Sequence, residues 1–288
     1  MSDATFGLIL ALSPVIVTFV VFILPMIYSI IISFSSYDHM QGSISKLVGF
    51  KNYMIILNDR AFWNAWLVTL KHILICVPTE LILGVLVALL MNGQVFGRRL
   101  WRTTILAPMM VTPVVAGLIW KLIYQPGNSI LNYVLSVIGL PTWTWNNGPG
   151  AIFAIAITDI WLSTPFIILI CLATLQGIPD ELYEAAEVDG ARALDKFFFI
   201  TFPYLQNVLL IGALFKTIDT TKTFDTIYTL TNGAYNTTNT MIFFYSRLFQ
   251  TFQIDRASAF AVIMILMTSI ITLPIIRKLL SDVGKVRD

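Results

Sequence analysis

Apolar residues dominate six stretches, Gly7 to Ser35, Trp63 to Met91, Thr104 to Tyr124, Ala151 to Gln176, Leu205 to Thr221 and Ala257 to Leu280, with more polar segments between them. Runs of about 20 apolar residues are long enough to cross a bilayer as helices, where each backbone polar group is satisfied inside its own segment. The pattern predicts an all-α, polytopic membrane protein of six spans with both termini on one side. Pro14, Pro25 and Pro78 fall inside the two longest runs and predict bends there. Neither an internal repeat nor a Gly/Pro/Ser linker divides the chain, so residues 1–288 read as one membrane domain.

Composition strengthens this picture. The chain is 57% hydrophobic and 12% charged, whereas soluble domains hold nearer a quarter charged residues. The first run is longer than the apolar region of a signal peptide and lacks a basic leader, so it reads as a retained helix. A net charge of +2 without any Lys/Arg-rich run gives no reason to expect a nucleic-acid partner. Arg98, Arg99, Arg102, Arg192, Lys196, Arg277, Lys278, Lys285 and Arg287 fall on one side of the six-span topology. Lys46, Lys51, Arg60, Lys222, Arg247 and Arg256 fall on the other. The excess of positive charge places the first set, and both termini, in the cytoplasm. Trp143 and Trp145, in a connection without Lys or Arg, suit a structural belt at the lipid boundary.

Candidate chemistry is sparse. Cys76 and Cys171 lie in apolar runs and read as small core residues. His39 and His72 read as structural, without Cys or carboxylate neighbours at ligand spacing, so no metal site is expected. The chain lacks G-x-x-x-x-G-K-[ST], G-x-S-x-G and H-E-x-x-H, which argues against an enzyme. Lys71, Glu80, Lys121, Asp159, Lys216 and Asp219 are costly within lipid and therefore informative. Lys216, Asp219, Thr220 and Thr223 follow helical spacing and form one polar stripe; Asp159, Leu162, Ser163 and Phe166 form another. Met109, Thr112 and Pro113 share a face of the third span, where Pro108 and Pro113 would free backbone carbonyls. These stripes suit either a solute pathway or contacts between helices of paired subunits. Lys216 and Asp219 could also form a purely structural ion pair.

The one markedly polar stretch is 177–203. Pro179, Asp180 and Glu181 suit a helix start and Gly190 a helix end, giving two to three turns with small Ala185 and Ala186 between Glu184 and Glu187. Such a surface suits docking. Glu184-Ala-Ala-x-x-Asp-Gly190, followed by Phe198, Ile200 and Pro203, resembles the EAA loop of permeases in binding-protein-dependent ABC importers. Gly49-Phe-x-Asn-Tyr53, Leu230-Thr-Asn-Gly233 and Arg256-Ala-Ser-Ala259 extend the resemblance to maltose-type and glycerol-phosphate-type permeases.

That resemblance implies a type I importer fold and a role as half of a translocation pathway for a sugar, polyol or sugar derivative. The implied partners are a second permease, two ATPases holding ATP and Mg, an extracytoplasmic solute-binding protein and membrane lipid. The chain itself would need no cofactor. The implied location is the cytoplasmic (inner) membrane of a bacterium or archaeon. Asp180, Glu181, Tyr183, Glu184, Ala185, Ala186, Asp189 and Gly190 would couple to the ATPase. Met109, Pro113, Leu162, Ser163, Phe166, Lys216, Thr220 and Thr223 match solute-contacting positions of maltose-type permeases. An ion-coupled secondary transporter is the alternative, since buried Asp and Lys can relay ions. It is disfavoured by the EAA loop and by the lack of inverted repeats.

Overall fold

Helix accounts for nearly all of the chain, as the long apolar runs require. The computed structural model describes residues 12, 14–38, 40–93, 97–125 and 129–285. Residues 7–11 and 13 of the first expected span, His39 and Arg287 lie outside them. In chain order the elements are α1 (Pro14–Ser33), strands β1 (Ser35–Asp38) and β2 (Ser43–Leu47), α2 (Lys51–Leu57), α3 (Arg60–Asn92), α4 (Arg98–Leu106) and α5 (Pro113–Ile123). There follow α6 (Ile130–Val137), α7 (Ala151–Leu175), α8 (Asp180–Val188), α9 (Ala193–Thr221), α10 (Asp225–Leu230), α11 (Thr240–Tyr245) and α12 (Ile254–Lys285).

Among the described residues, five helices are long and apolar enough to cross a membrane, or six if α4 and α5 count together as one span. The third expected span, 104–124, is not one straight helix: Leu100–Met110 and Pro113–Ile123 meet at 102°. Proline chemistry explains the break. Pro113 forces the preceding residue out of the helical region and occupies the first turn of α5. Val111 (ψ 134°) and Thr112 (ψ 146°) are accordingly extended.

By internal packing the chain forms two compact units, Met1–Trp63 with Phe243–Met267, and Asn64–Ile242 with Thr268–Asp288. The sequence reading treats the chain as one domain.

In the first unit, β1 and β2 pair antiparallel with a bulge at Ser36/Tyr37, a hairpin that hydrophobic runs gave no reason to expect. Its turn is held by Asp38 Oδ1, which accepts from the Met40 and Gln41 amides at 2.9 and 3.3 Å. The Gly49-to-Tyr53 motif anchors it. Buried Asn52 donates from Nδ2 to the carbonyls of Ser33 and Ser35 at 3.0 and 2.8 Å, and Tyr53 shares a 2.6 Å hydrogen bond with Ser33. Arg247 pairs with Asp59 at 2.6 Å and lies over the Phe243 ring.

In the second unit, α3, α7 and α9 approach closely around Ile167 on α7, which is fully buried. A methyl built on Gly84 of α3 would lie 2.3 Å from Ile167 Cγ2, and one on Gly212 of α9 would lie 3.0 Å from Ile167 Cδ1. Glycine at position 84 is therefore a packing requirement. Gly84→Ala is expected to destabilise the purified protein by about 1–3 kcal/mol, the usual cost of overfilling a core. Thermal unfolding in detergent checks this, and an unchanged midpoint would contradict the close approach. A second core joins Tyr124, Ala154, Ile155, Ile227, Leu230 and Ile242. Trp145 stacks on Tyr124 (5.8 Å) and donates to Asn132, whereas Trp143 is exposed. Of the two rings expected in an aromatic belt, Trp143 is turned outward and Trp145 is packed inward.

Candidate functional site: a cavity and an exposed loop

An open cavity of about 460 Å³ in the second unit is lined by Met109, Val111, Pro113, Leu162, Ser163, Phe166, Phe215, Lys216, Ile218, Asp219 and Lys222. The break before α5 supplies its first three residues, α7 the next three, and the end of α9 the rest. One wall is aromatic, with Phe166 and Phe215 edge-on at 6.3 Å. Polar groups are few: the Ser163 hydroxyl, Asp219, Lys222 and a constrained Lys216. Lys216 Nζ lies 3.1 Å from Asp219, whose side chain is exposed, and 3.6 Å from Glu80 on α3, which is fully buried. Its charge is therefore held between two carboxylates.

Of the expected pathway residues, Met109, Pro113, Leu162, Ser163, Phe166, Lys216 and Asp219 line this cavity. Thr112, Asp159, Thr220 and Thr223 do not. Thr112 is exposed and caps α5, its carbonyl accepting from Ala116. Thr223 closes the turn after α9, and its carbonyl accepts from Asn239. Thr220 is fully buried, so a bulky residue there would disrupt packing instead of blocking a passage. Asp159 is 6% exposed and points to His72, with Nε2 and Oδ2 3.4 Å apart.

Sequence reasoning missed Val111, Phe215, Ile218 and Lys222. The signal for three of them was the spacing 215, 218, 222, adjacent by one residue, about 100° of helix rotation, to the polar stripe that starts at Lys216. A search for polar side chains alone passed over the apolar part of that wall. It also passed over His72 and Cys76, four apart on α3, which meet Asp159 in the core. His72 thus has the cysteine and carboxylate neighbours that the sequence reading denied it.

The second feature is α8. Asp180, Glu181, Glu184, Ala185, Asp189 and Gly190 are exposed, as is Glu187, while Ala186 is half-buried. Tyr183 turns the other way: its hydroxyl meets that of buried Thr201 at 3.0 Å, and its ring packs against the core beneath α8. It anchors the helix. Gly190 (φ +77°) ends α8 with paired bonds from Gly190 N–H to Glu187 O (3.0 Å) and from Ala191 N–H to Ala186 O (2.9 Å). Lys196 reaches back to Glu187 at 2.7 Å. That hydrogen bond and charge hold the Glu187 carboxyl below its ordinary range. Leu194, Phe198 and Phe199 extend the exposed surface with apolar groups.

Residues 60–282 match the family described as binding-protein-dependent transport system inner membrane component. The chain belongs to this family. It is therefore a multi-pass inner-membrane permease, and nothing in the comparisons supports the ion-coupled alternative. Among relatives of this permease, a probable ABC transporter permease of Sinorhizobium fredii is 36% identical over 88% of the chain and 84% of its own length. A trehalose/maltose transport system permease of Thermococcus litoralis is 40% identical over 65% and 63%. A sulfoquinovosyl glycerol transport system permease of Agrobacterium fabrum is 32% identical over 94% and 89%. Among solved structures, a chain of a bacterial alginate ABC transporter crystallised with an alginate pentasaccharide-bound periplasmic protein superposes with TM-score 0.81. It is 22% identical, covering 95% of this permease and 93% of that chain. That likeness shows the fold.

Proposed function

We propose that this permease forms half of the import pathway for a sugar, polyol or sugar derivative, and that the cavity beside Phe166 and Phe215 is where the solute passes. The carrying observation is the composition of its wall. Aromatic rings suit the apolar faces of a sugar ring, and the Ser163 hydroxyl and Asp219 carboxylate suit its hydroxyls. Lys216 is held between Glu80 and Asp219, whereas Lys222, the other cation of the wall, is exposed. Relatives named for trehalose, maltose and sulfoquinovosyl glycerol support the carbohydrate class.

In this reading a second permease supplies the other half of the pathway, and an external binding protein delivers the solute. The crystallised pairing of the alginate transporter with its periplasmic protein supports the latter. ATP and Mg act on two partner ATPases that receive α8, and both termini face the cytoplasm.

Replacing Ser163 with Trp puts an indole into the cavity. Uptake of trehalose or maltose by proteoliposomes holding the whole importer should fall at least tenfold, with the assembled complex unchanged on size exclusion. Unimpaired uptake would remove the cavity from the pathway.

A further inference from the structure

The core of the second unit contains a polar cluster that the proposed pathway does not use. His72 and Cys76 lie on one face of α3 and Asp159 faces them from α7; their relative exposures are 0, 0 and 6%. One ligand atom from each falls within 4.8 Å of the others. Both His72 nitrogens and Asp159 Oδ2 lack any hydrogen bond, although Nε2 and Oδ2 are only 3.4 Å apart. Buried polar atoms without partners are rare and costly.

We propose that His72, Cys76 and Asp159 bind one divalent transition-metal ion of the zinc class, fastening α3 to α7. Nitrogen and oxygen ligands each about 2.0–2.1 Å from a tetrahedral Zn²⁺ lie roughly 3.3–3.4 Å apart, which is the spacing of Nε2 and Oδ2. Ligands aimed at a shared ion point at the ion and not at each other, which accounts for a short separation without a hydrogen bond. Imidazole, thiolate and carboxylate together suit zinc or cobalt over magnesium or calcium.

Charge also closes. On binding, the Cys76 thiol releases its proton, three metal–ligand bonds form, and a water takes the fourth position. The thiolate and Asp159 then carry two negative charges, which the dication balances without drawing on Lys216. A cluster this buried loads as the helices assemble and retains its ion through purification. A proton on His72, pairing it with Asp159, is the competing means of balance.

The test uses the intact importer carrying a histidine-free affinity tag, purified from cells grown with added zinc or cobalt. The expected result is one equivalent of metal per chain by mass spectrometry. The cobalt form should show a thiolate-to-cobalt band that is lost in Cys76→Ser and retained in Cys171→Ser, the other buried cysteine. If Cys76→Ser fails to assemble, X-ray absorption on the unmodified zinc form decides. One sulfur neighbour at about 2.3 Å with nitrogen and oxygen at about 2.0 Å supports the site. Metal-free protein, which is what a His72 proton predicts, overturns it, as does a sulfur-free ligand shell or a band that survives Cys76→Ser.

Discussion

Gly190→Pro will abolish uptake by the reconstituted importer while leaving the chain inserted in the membrane. Proline fixes φ near −65°, whereas Gly190 sits at +77°, and proline has no N–H to donate to Glu187. Both bonds that end α8 are lost, and the chain can no longer turn at Ala191. The damage is confined to an exposed segment, so membrane insertion and the buried cores should persist. Gly190→Ala keeps the N–H and incurs only the left-handed backbone strain, about 1–2 kcal/mol, so it should reduce uptake without eliminating it. Initial uptake rates, compared with membrane-extracted protein levels, separate these outcomes. Full transport by the proline variant would show that α8 does not couple to the ATPases.

Lys216→Met should be the most destabilising single change in the cavity wall. It leaves Glu80, fully buried on α3, facing no cation, and removing one partner of a buried pair costs about 3–5 kcal/mol. The other partner gives the control. Asp219 is 69% exposed in its side chain and three residues away on the same helix, so Asp219→Asn should cost no more than about 0.5 kcal/mol. Glu80→Gln combined with Lys216→Met should recover much of the loss, since neither buried charge remains. Thermal unfolding of the four proteins in one detergent decides the matter. Equal losses for Lys216→Met and Asp219→Asn would mean that the exposed pair, and not Glu80, is what Lys216 serves.

The helical membrane character was legible because a 20-residue apolar run has few alternatives, and the family because the Glu184-to-Gly190 string is specific. The cavity was partly legible. Ser163, Phe166, Lys216 and Asp219 could be placed by helical spacing, but Phe215 and Ile218 look like ordinary lipid-facing residues until the neighbouring helices are positioned. Thr220 and Asp159 lie off the cavity wall for a related reason: a polar residue in an apolar span can face a cavity or a buried partner, and periodicity alone does not say which. Glu80, His72 and Cys76 lie at successive four-residue steps on α3, yet their partners come from α7 and α9, more than 80 residues away. The bend after Met110 was written locally, in Pro113 and the extended Thr112 before it, although its 102° angle was not.

The crowding around Ile167 limits how such a permease can move. Its side chain fills hollows left by Gly84 on one flank and Gly212 on the other. Sliding either helix by a turn, about 5.4 Å, would drive the branched side chain into bulkier neighbours. Rotation of the trio as a block keeps both hollows filled. Ile167 therefore behaves as a ball in two sockets: under the proposed function, α3, α7 and α9 would change access to the cavity by tilting together, and a pull on α8 would reach it as torque instead of as a stroke along one helix.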